Sequence, residues 1–189
     1  MKEMVMTEQE IYEACARLGK QISEDLKNEE RIPLILGVMK GGVPFMMDLV
    51  KRIEIPVLFD FIQVSSYSGT SRSREVKLVK DITYDVTDRT IVLVDDVVDS
   101  GNSLIYLINH LKANYKPKKI LTCALFDKVN AREVEMTVDY AGKVLTENKF
   151  LVGYGLDYNE IHRNVPYVFI PSEEDLVAYD TYLKERGEN

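Results

Sequence analysis

Ile91-Val92-Leu93-Val94-Asp95-Asp96-Val97-Val98-Asp99-Ser100-Gly101-Asn102-Ser103-Leu104 decides the fold. Four apolar β-formers run into two acids, two valines, a third acid and a small polar turn. An unbroken apolar run predicts a strand buried on both faces, as in a parallel sheet, because a strand with one wet face alternates instead. Leu104, Ile105, Leu107, Ile108 and Leu111 then mark a helix. In open α/β sheets the turn at the carboxyl end of such a strand borders the crevice where ligands sit. Asp99 to Ser103 offers hydroxyls and backbone N–H groups at a helix start, which suit a phosphate. Asp95 and Asp96 are costly after four apolar residues unless they meet partners in a cleft, which points to hydroxyls, a metal or a proton. The plainer alternative is a polar strand end, with Asp99 or Ser100 as the helix N-cap.

The flanking chain repeats the pattern. Thr7-Glu8-Gln9-Glu10 is a capping box, and Ile11, Cys15, Leu18, Ile22 and Leu26 follow at helical spacing, predicting a helix from about Glu8 to Lys27. Ile32 to Met39 reads as a buried strand, broken by Lys40-Gly41-Gly42; a helix over about Val43 to Arg52 and a strand over Val57 to Val64 follow. Ser65 to Arg74 is polar and aperiodic, too long for a tight hairpin, and predicts a mobile loop, either a surface excursion or a lid. Val76 to Val79 resumes strand alternation, and Ile120 to Phe126 is another buried strand, ending in Asp127-Lys128. Val138 to Gly142 is ambiguous, Phe150 to Tyr158 reads as a strand with two glycines, Tyr167 to Ile170 as a final strand and Glu173 to Glu185 as a final helix. Alternating strands and helices predict an α/β fold with a central, mainly parallel twisted sheet flanked by helices.

Composition narrows the function. A chain of 189 residues, 46% hydrophobic and 29% charged, is expected to form one soluble domain. A net charge of −7 argues against binding nucleic acid through its phosphates. Cys15 and Cys123 read as buried thiols of a reducing compartment. No stretch reads as a signal peptide or a membrane span, so a cytoplasmic protein is expected. Two histidines, His110 and His162, do not suffice for a histidine metal site; carboxylates favour a hard ion such as Mg²⁺. Taken singly, Lys128, Asp157 and Arg163 read as loop charges, Phe150 as a core aromatic, and Lys40-Gly41-Gly42 as a tight turn whose N–H groups could approach an anion. A Walker A loop is absent, and a receiver domain would arrange its acids and lysine differently.

Val94 to Ser103 resembles the phosphoribosyl-pyrophosphate signature of the type I phosphoribosyltransferases. Leu36 to Gly42, Ser65-Ser66-Tyr67, Lys128, Lys149 to Glu160 and Arg163 occur in the order found in hypoxanthine-guanine phosphoribosyltransferases, and the resemblance runs from the first helix to Ile170. It implies the type I fold as a single domain over 1–189, with a small hood from residues 1–30 and about 150–189. It implies purine salvage: transfer of the phosphoribosyl group to N9 of hypoxanthine or guanine, giving IMP or GMP and pyrophosphate. A regulator of the same fold, or a transferase for xanthine or another base, is the alternative; the first would need a basic face that this acidic chain lacks.

The resemblance also implies roles. Asp99 would be the general base or acid at purine N7. Ser100, Gly101, Asn102 and Ser103 would wrap the 5′-phosphate, and Asp95 and Asp96 would take the ribose hydroxyls directly or through Mg²⁺. Asn102 stands where some relatives carry lysine or arginine, so phosphate binding would lean on neutral donors. Lys128 would donate to the purine O6 and disfavour adenine. Phe150 would stack on the base, and the Leu151 and Asp157 backbones would read its other edge. Asp157 would also help hold Mg²⁺, with Lys40, Gly41 and Arg163 at the pyrophosphate and a cis peptide between Met39 and Lys40. The polar loop would be a closing lid with Ser66 and Tyr67 at its working end. Phosphoribosyl pyrophosphate and a 6-oxopurine are the implied partners, without nucleic acid or membrane, in a homodimer or homotetramer.

Overall fold

The structure is a computed structural model that describes residues 2–67 and 75–188, with residues 66, 67 and 75 described by their backbone alone. In chain order the elements are β1 (Glu3–Met6), α1 (Glu8–Leu26), β2 (Leu34–Met39), α2 (Val43–Val50), β3 (Leu58–Tyr67), β4 (Glu75–Lys80), β5 (Thr90–Val98), α3 (Asn102–Asn114), β6 (Lys119–Lys128), β7 (Tyr140–Leu145), β8 (Val168–Ile170) and α4 (Glu173–Glu185). The main sheet has six strands in the order β4-β3-β2-β5-β6-β7. Every pairing in it is parallel except β3 with β4.

The opening strand lies near the middle of this sheet, and its apolar run is explained by alternation between two cores. Val92 and Val94 enter a cluster with α1 and α2, whereas Ile91 and Leu93 enter one with Leu104, Leu107 and Leu111 of α3. All four strand residues are fully buried. A one-residue slip of register would draw the Asp95 carboxylate into an apolar core without a partner, which is prohibitive. Its carboxyl end is therefore held where Asp95 must emerge. From β2 the chain moves to β3 on one side, and from β5 to β6 on the other, so the turns after β2 and β5 face each other across the point where the winding reverses.

The capping box forms as expected: Thr7 Oγ1 accepts from the Glu10 N–H at 3.2 Å, and Glu10 accepts from the Thr7 N–H at 2.7 Å. Three expectations are corrected. Ser65 to Tyr67 extend β3 and pair antiparallel with Glu75 to Lys77, so the polar stretch continues a hairpin ladder rather than leaving the sheet at Val64. Its remainder, residues 68–74, lies outside the described residues, and with it most of the expected lid. Phe150 to Tyr158 is not a strand but a chain of turns with isolated bridges, Val152 to Phe169 and Gly153 to Leu156. Two of its residues, Gly153 and Gly155, have φ of 103° and 97°, values a strand cannot use.

The third correction concerns the hood. β1 pairs antiparallel with β8 as a separate two-stranded sheet, so residues 3–6 do join the chain's far end. Helix α1, also expected there, instead buries Ile11, Cys15, Leu18 and Ile22 in the core of the main sheet. Amphipathic spacing shows that a helix has a buried face but not which sheet receives it. Among the described residues no helix is long and apolar enough to cross a membrane.

Candidate active site

Three chain segments meet at the carboxyl edge of the sheet: the turn after β5, the turn after β2, and residues 150–165. In the first, the N-cap of α3 is Gly101, with φ of 84°, and no side chain caps the helix. The plainer alternative, capping by Asp99 or Ser100, therefore does not occur; the nearest contact is the Asn102 N–H donating to Ser100 Oγ at 3.3 Å. An uncapped helix start leaves N–H donors for an anion, with the helix dipole behind them. A cavity of about 200 Å³ opens there, lined by Asp95, Asp99, Ser100, Gly101 and Ser103 among others.

Burial and the charge of Asp96 push the Asp95 carboxyl well above the usual range, and burial raises Asp96. Two adjacent carboxylates short of water are a donor set suited to a cation or to hydroxyl groups. Gly41 packs against this pair: a Cβ there would lie 2.0 Å from Asp96 Oδ2. The Met39–Lys40 peptide is cis, as the resemblance implies.

A second layer braces the turn. Arg132 donates from Nη1 to the Val98 carbonyl at 2.6 Å and to the Asp99 carbonyl, and its Nη2 pairs with the buried Asp127. The Glu133 N–H donates to the Ser100 carbonyl at 3.0 Å, and Asn102 Nδ2 donates to Glu133 Oε2 at 2.7 Å. Lys128, 5% exposed, ends β6 beside the turn with its Nζ 2.8 Å from Asp99 Oδ1. Sequence reasoning missed Asp127, Arg132 and Glu133. The available signal was Asp127 itself, a carboxylate closing a buried strand, which requires a cation nearby.

In the third segment, Arg163 donates from Nη1 to the Gly155 carbonyl at 2.6 Å, and its Nη2 lies 2.8 Å from Asp157 Oδ1. A Cβ on Gly155 would stand 2.1 Å from the Gly41 carbonyl oxygen, so glycine here lets the segment lie on the β2 turn. Tyr154 anchors it by donating to Asp48 Oδ2 at 2.7 Å. Phe150 is 53% exposed rather than a core residue, and its ring meets Tyr158 edge-on at 6.2 Å, leaving it available for stacking. Leu151 is buried. Glu160, to which sequence reasoning gave no role, contacts both Lys40 and Arg163. Asp95, Asp96 and Asp157 do not close into a ready metal cage: among the described residues no group of three or more His, Cys, Asp or Glu side chains is placed to hold an ion. Ser66 and Tyr67 belong to β3, and their side chains lie outside the description.

Residues 2–159 match the phosphoribosyl transferase domain family. The chain belongs to that family. It is 41% identical to the hypoxanthine-guanine phosphoribosyltransferase of Streptococcus pyogenes, over 92% of this chain and 95% of that protein. It is also 41% identical to the bifunctional protein TilS/HprT of Listeria monocytogenes, of which it spans only 26%. A crystal structure of a hypoxanthine phosphoribosyltransferase from Staphylococcus aureus superposes with a TM-score of 0.85 at 34% identity, covering 92% of this chain and 93% of that one. Within the family, therefore, it stands with the hypoxanthine-guanine phosphoribosyltransferases.

Proposed function

We propose that the protein transfers the 5-phosphoribosyl group from phosphoribosyl pyrophosphate to N9 of hypoxanthine or guanine, releasing pyrophosphate and giving IMP or GMP. The observation that carries this reading is the pair Lys128 and Asp99, 2.8 Å apart beside an uncapped helix start. A 6-oxopurine presents O6 and N7 side by side on one edge. An ammonium at O6 and a carboxylate at a protonated N7 match that edge, whereas the 6-amino group of adenine would face a donor with a donor.

The remaining roles are those the resemblance implies, and the positions of these residues support them. The N–H groups at the start of α3, with Ser100 and Ser103, bind the 5′-phosphate. Asp95 and Asp96 take the ribose hydroxyls. Asp99 removes the N7 proton as the new C–N bond forms, which makes N9 the better nucleophile. Lys40, Gly41 and Arg163 receive the charge that grows on the departing pyrophosphate. Phe150 covers one face of the base and the Leu151 and Asp157 backbones border its far edge. Asp95 and Asp96, and the single carboxylate of Asp157, would hold Mg²⁺, an ion that rarely takes an all-protein cage. When bound, it supplies charge neutralisation at the diphosphate.

The test mixes the protein, Mg²⁺ and phosphoribosyl pyrophosphate with hypoxanthine, guanine, xanthine and adenine in turn, following nucleotide formation by absorbance. Turnover with hypoxanthine or guanine and little with adenine is expected; no turnover with either 6-oxopurine would overturn the proposal.

A further inference from the structure

The turn from Asp157 to Arg163 lays a carboxylate across both cations that phosphoribosyl transfer would direct at its leaving group. Lys40 comes from the turn after β2 and Arg163 from the end of the 150–165 segment. One oxygen, Glu160 Oε2, lies 3.0 Å from Lys40 Nζ and 3.3 Å from Arg163 Nη2. The base of this arm is fixed. Asp157 Oδ2 accepts from the Glu160 N–H at 2.8 Å, while Asp157 Oδ1 meets Arg163 at 2.8 Å.

The backbone is set for this contact. Asn159 and Glu160 have φ of 45° and 69°, a left-handed conformation that residues other than glycine seldom adopt. It carries the Glu160 side chain back over the turn toward Lys40. The hydrogen bond from Lys40, together with the charges of Lys40 and Arg163, outweighs burial and holds the Glu160 carboxyl below the usual range. Yet the contact stays wet: the side chains of Lys40 and Glu160 are 56% and 63% exposed. Water screens an ion pair so placed, and a ligand carrying several negative charges can displace it.

We infer that Glu160 is an internal stand-in for the leaving group. Its carboxylate gathers Lys40 and Arg163 in the unliganded site and yields them to the pyrophosphoryl end of the substrate. It takes them back as pyrophosphate departs. Glu160 is thus a positioning residue that sets how tightly this end of the site holds anions, a role that rests on the phosphoribosyl-transfer reading.

Glu160→Gln keeps the size of the side chain and one acceptor oxygen, and removes its charge. Titration calorimetry with pyrophosphate, with and without Mg²⁺, compares it with the unaltered protein. The variant is expected to bind pyrophosphate about 2- to 5-fold more tightly in both conditions, the gain from freeing an exposed ion pair. The KM for phosphoribosyl pyrophosphate should fall in step, whereas that for the purine should not move. Equal or weaker affinity in both conditions overturns the inference. Weaker binding only in Mg²⁺ also overturns it, by making Glu160 a metal ligand. Failure of the unaltered protein to bind pyrophosphate at all would instead remove the phosphoribosyl-transfer reading beneath it.

Discussion

The turn after β5 and the segment 150–165 face the same crevice, yet they are held by different forces. The first is braced from behind by largely buried charge: Arg132 on two carbonyls and Asp127, and Lys128 on Asp99. The second is held partly by shape, with Gly155 against Gly41 and Tyr154 on Asp48, and partly by ion pairs that reach solvent through Glu160. Buried, satisfied charges rigidify, and exposed ones exchange. A phosphate cradle gains from being pre-formed, because ordering it on binding would cost affinity. A leaving-group site must release what it binds, so contacts that water can replace suit it.

Mutations can break this contrast in order of expected effect. Asp99→Asn removes the proposed proton acceptor and its charge from Lys128, but leaves Arg132 on the carbonyls behind the turn. Turnover should fall about 10²–10⁴-fold while affinity for phosphoribosyl pyrophosphate stays nearly constant; calorimetry and steady-state kinetics together would reveal any other pattern. Arg132→Ala leaves Asp127 buried without its cation and should cost about 3–5 kcal/mol of stability, read from urea unfolding. Arg132→Lys should recover only part of this, because an ammonium lacks the fork that spans Val98, Asp99 and Asp127. An unchanged unfolding midpoint in the alanine variant would show that the turn does not need its brace.

Gly155→Ala probes the second region. Its Cβ would collide with the Gly41 carbonyl from a φ of 97°, so a loss of about 1–3 kcal/mol is expected, with a raised KM for phosphoribosyl pyrophosphate because the β2 turn must shift. Asp60 lies outside both regions and serves as a reference. Burial raises its pKa, but the N–H groups of Thr83 and Phe61 and the contacts from Thr83 Oγ1 and Lys80 outweigh this, and the carboxyl sits below its usual range. A carboxyl depressed in the folded state stabilises above its unfolded pKa, near 4, and loses that contribution as pH falls through the folded value. Asp60→Asn should cost about 1–2 kcal/mol at pH 7 and flatten the acid limb of a stability profile. An acid limb identical to that of the unaltered protein would contradict the assignment.

How much of this the chain announces differs between the two regions for a physical reason. The β5 turn was legible because burial on two faces imposes an apolar run, and three acids stand out against it. Lys128 by itself reads as a loop charge; only β6 lying beside β5 puts it on Asp99. Phe150 to Tyr158 misled, since Phe150, Leu151, Val152 and Tyr154 have strand-like composition. What defeats the strand is left-handed backbone at Gly153, Tyr154 and Gly155, which composition records only weakly. Glu160 carries no signal in isolation, because its meaning lies in two cations from separate segments.

Local periodicity and turn chemistry alone set the α/β alternation, the central parallel strands, the capped first helix and the small polar turn after β5. Tertiary structure decided which face received α1, which carboxylate met which cation, and which residues brace the turn. Those contacts join positions as far apart as Lys40 and Glu160, and no local pattern encodes them.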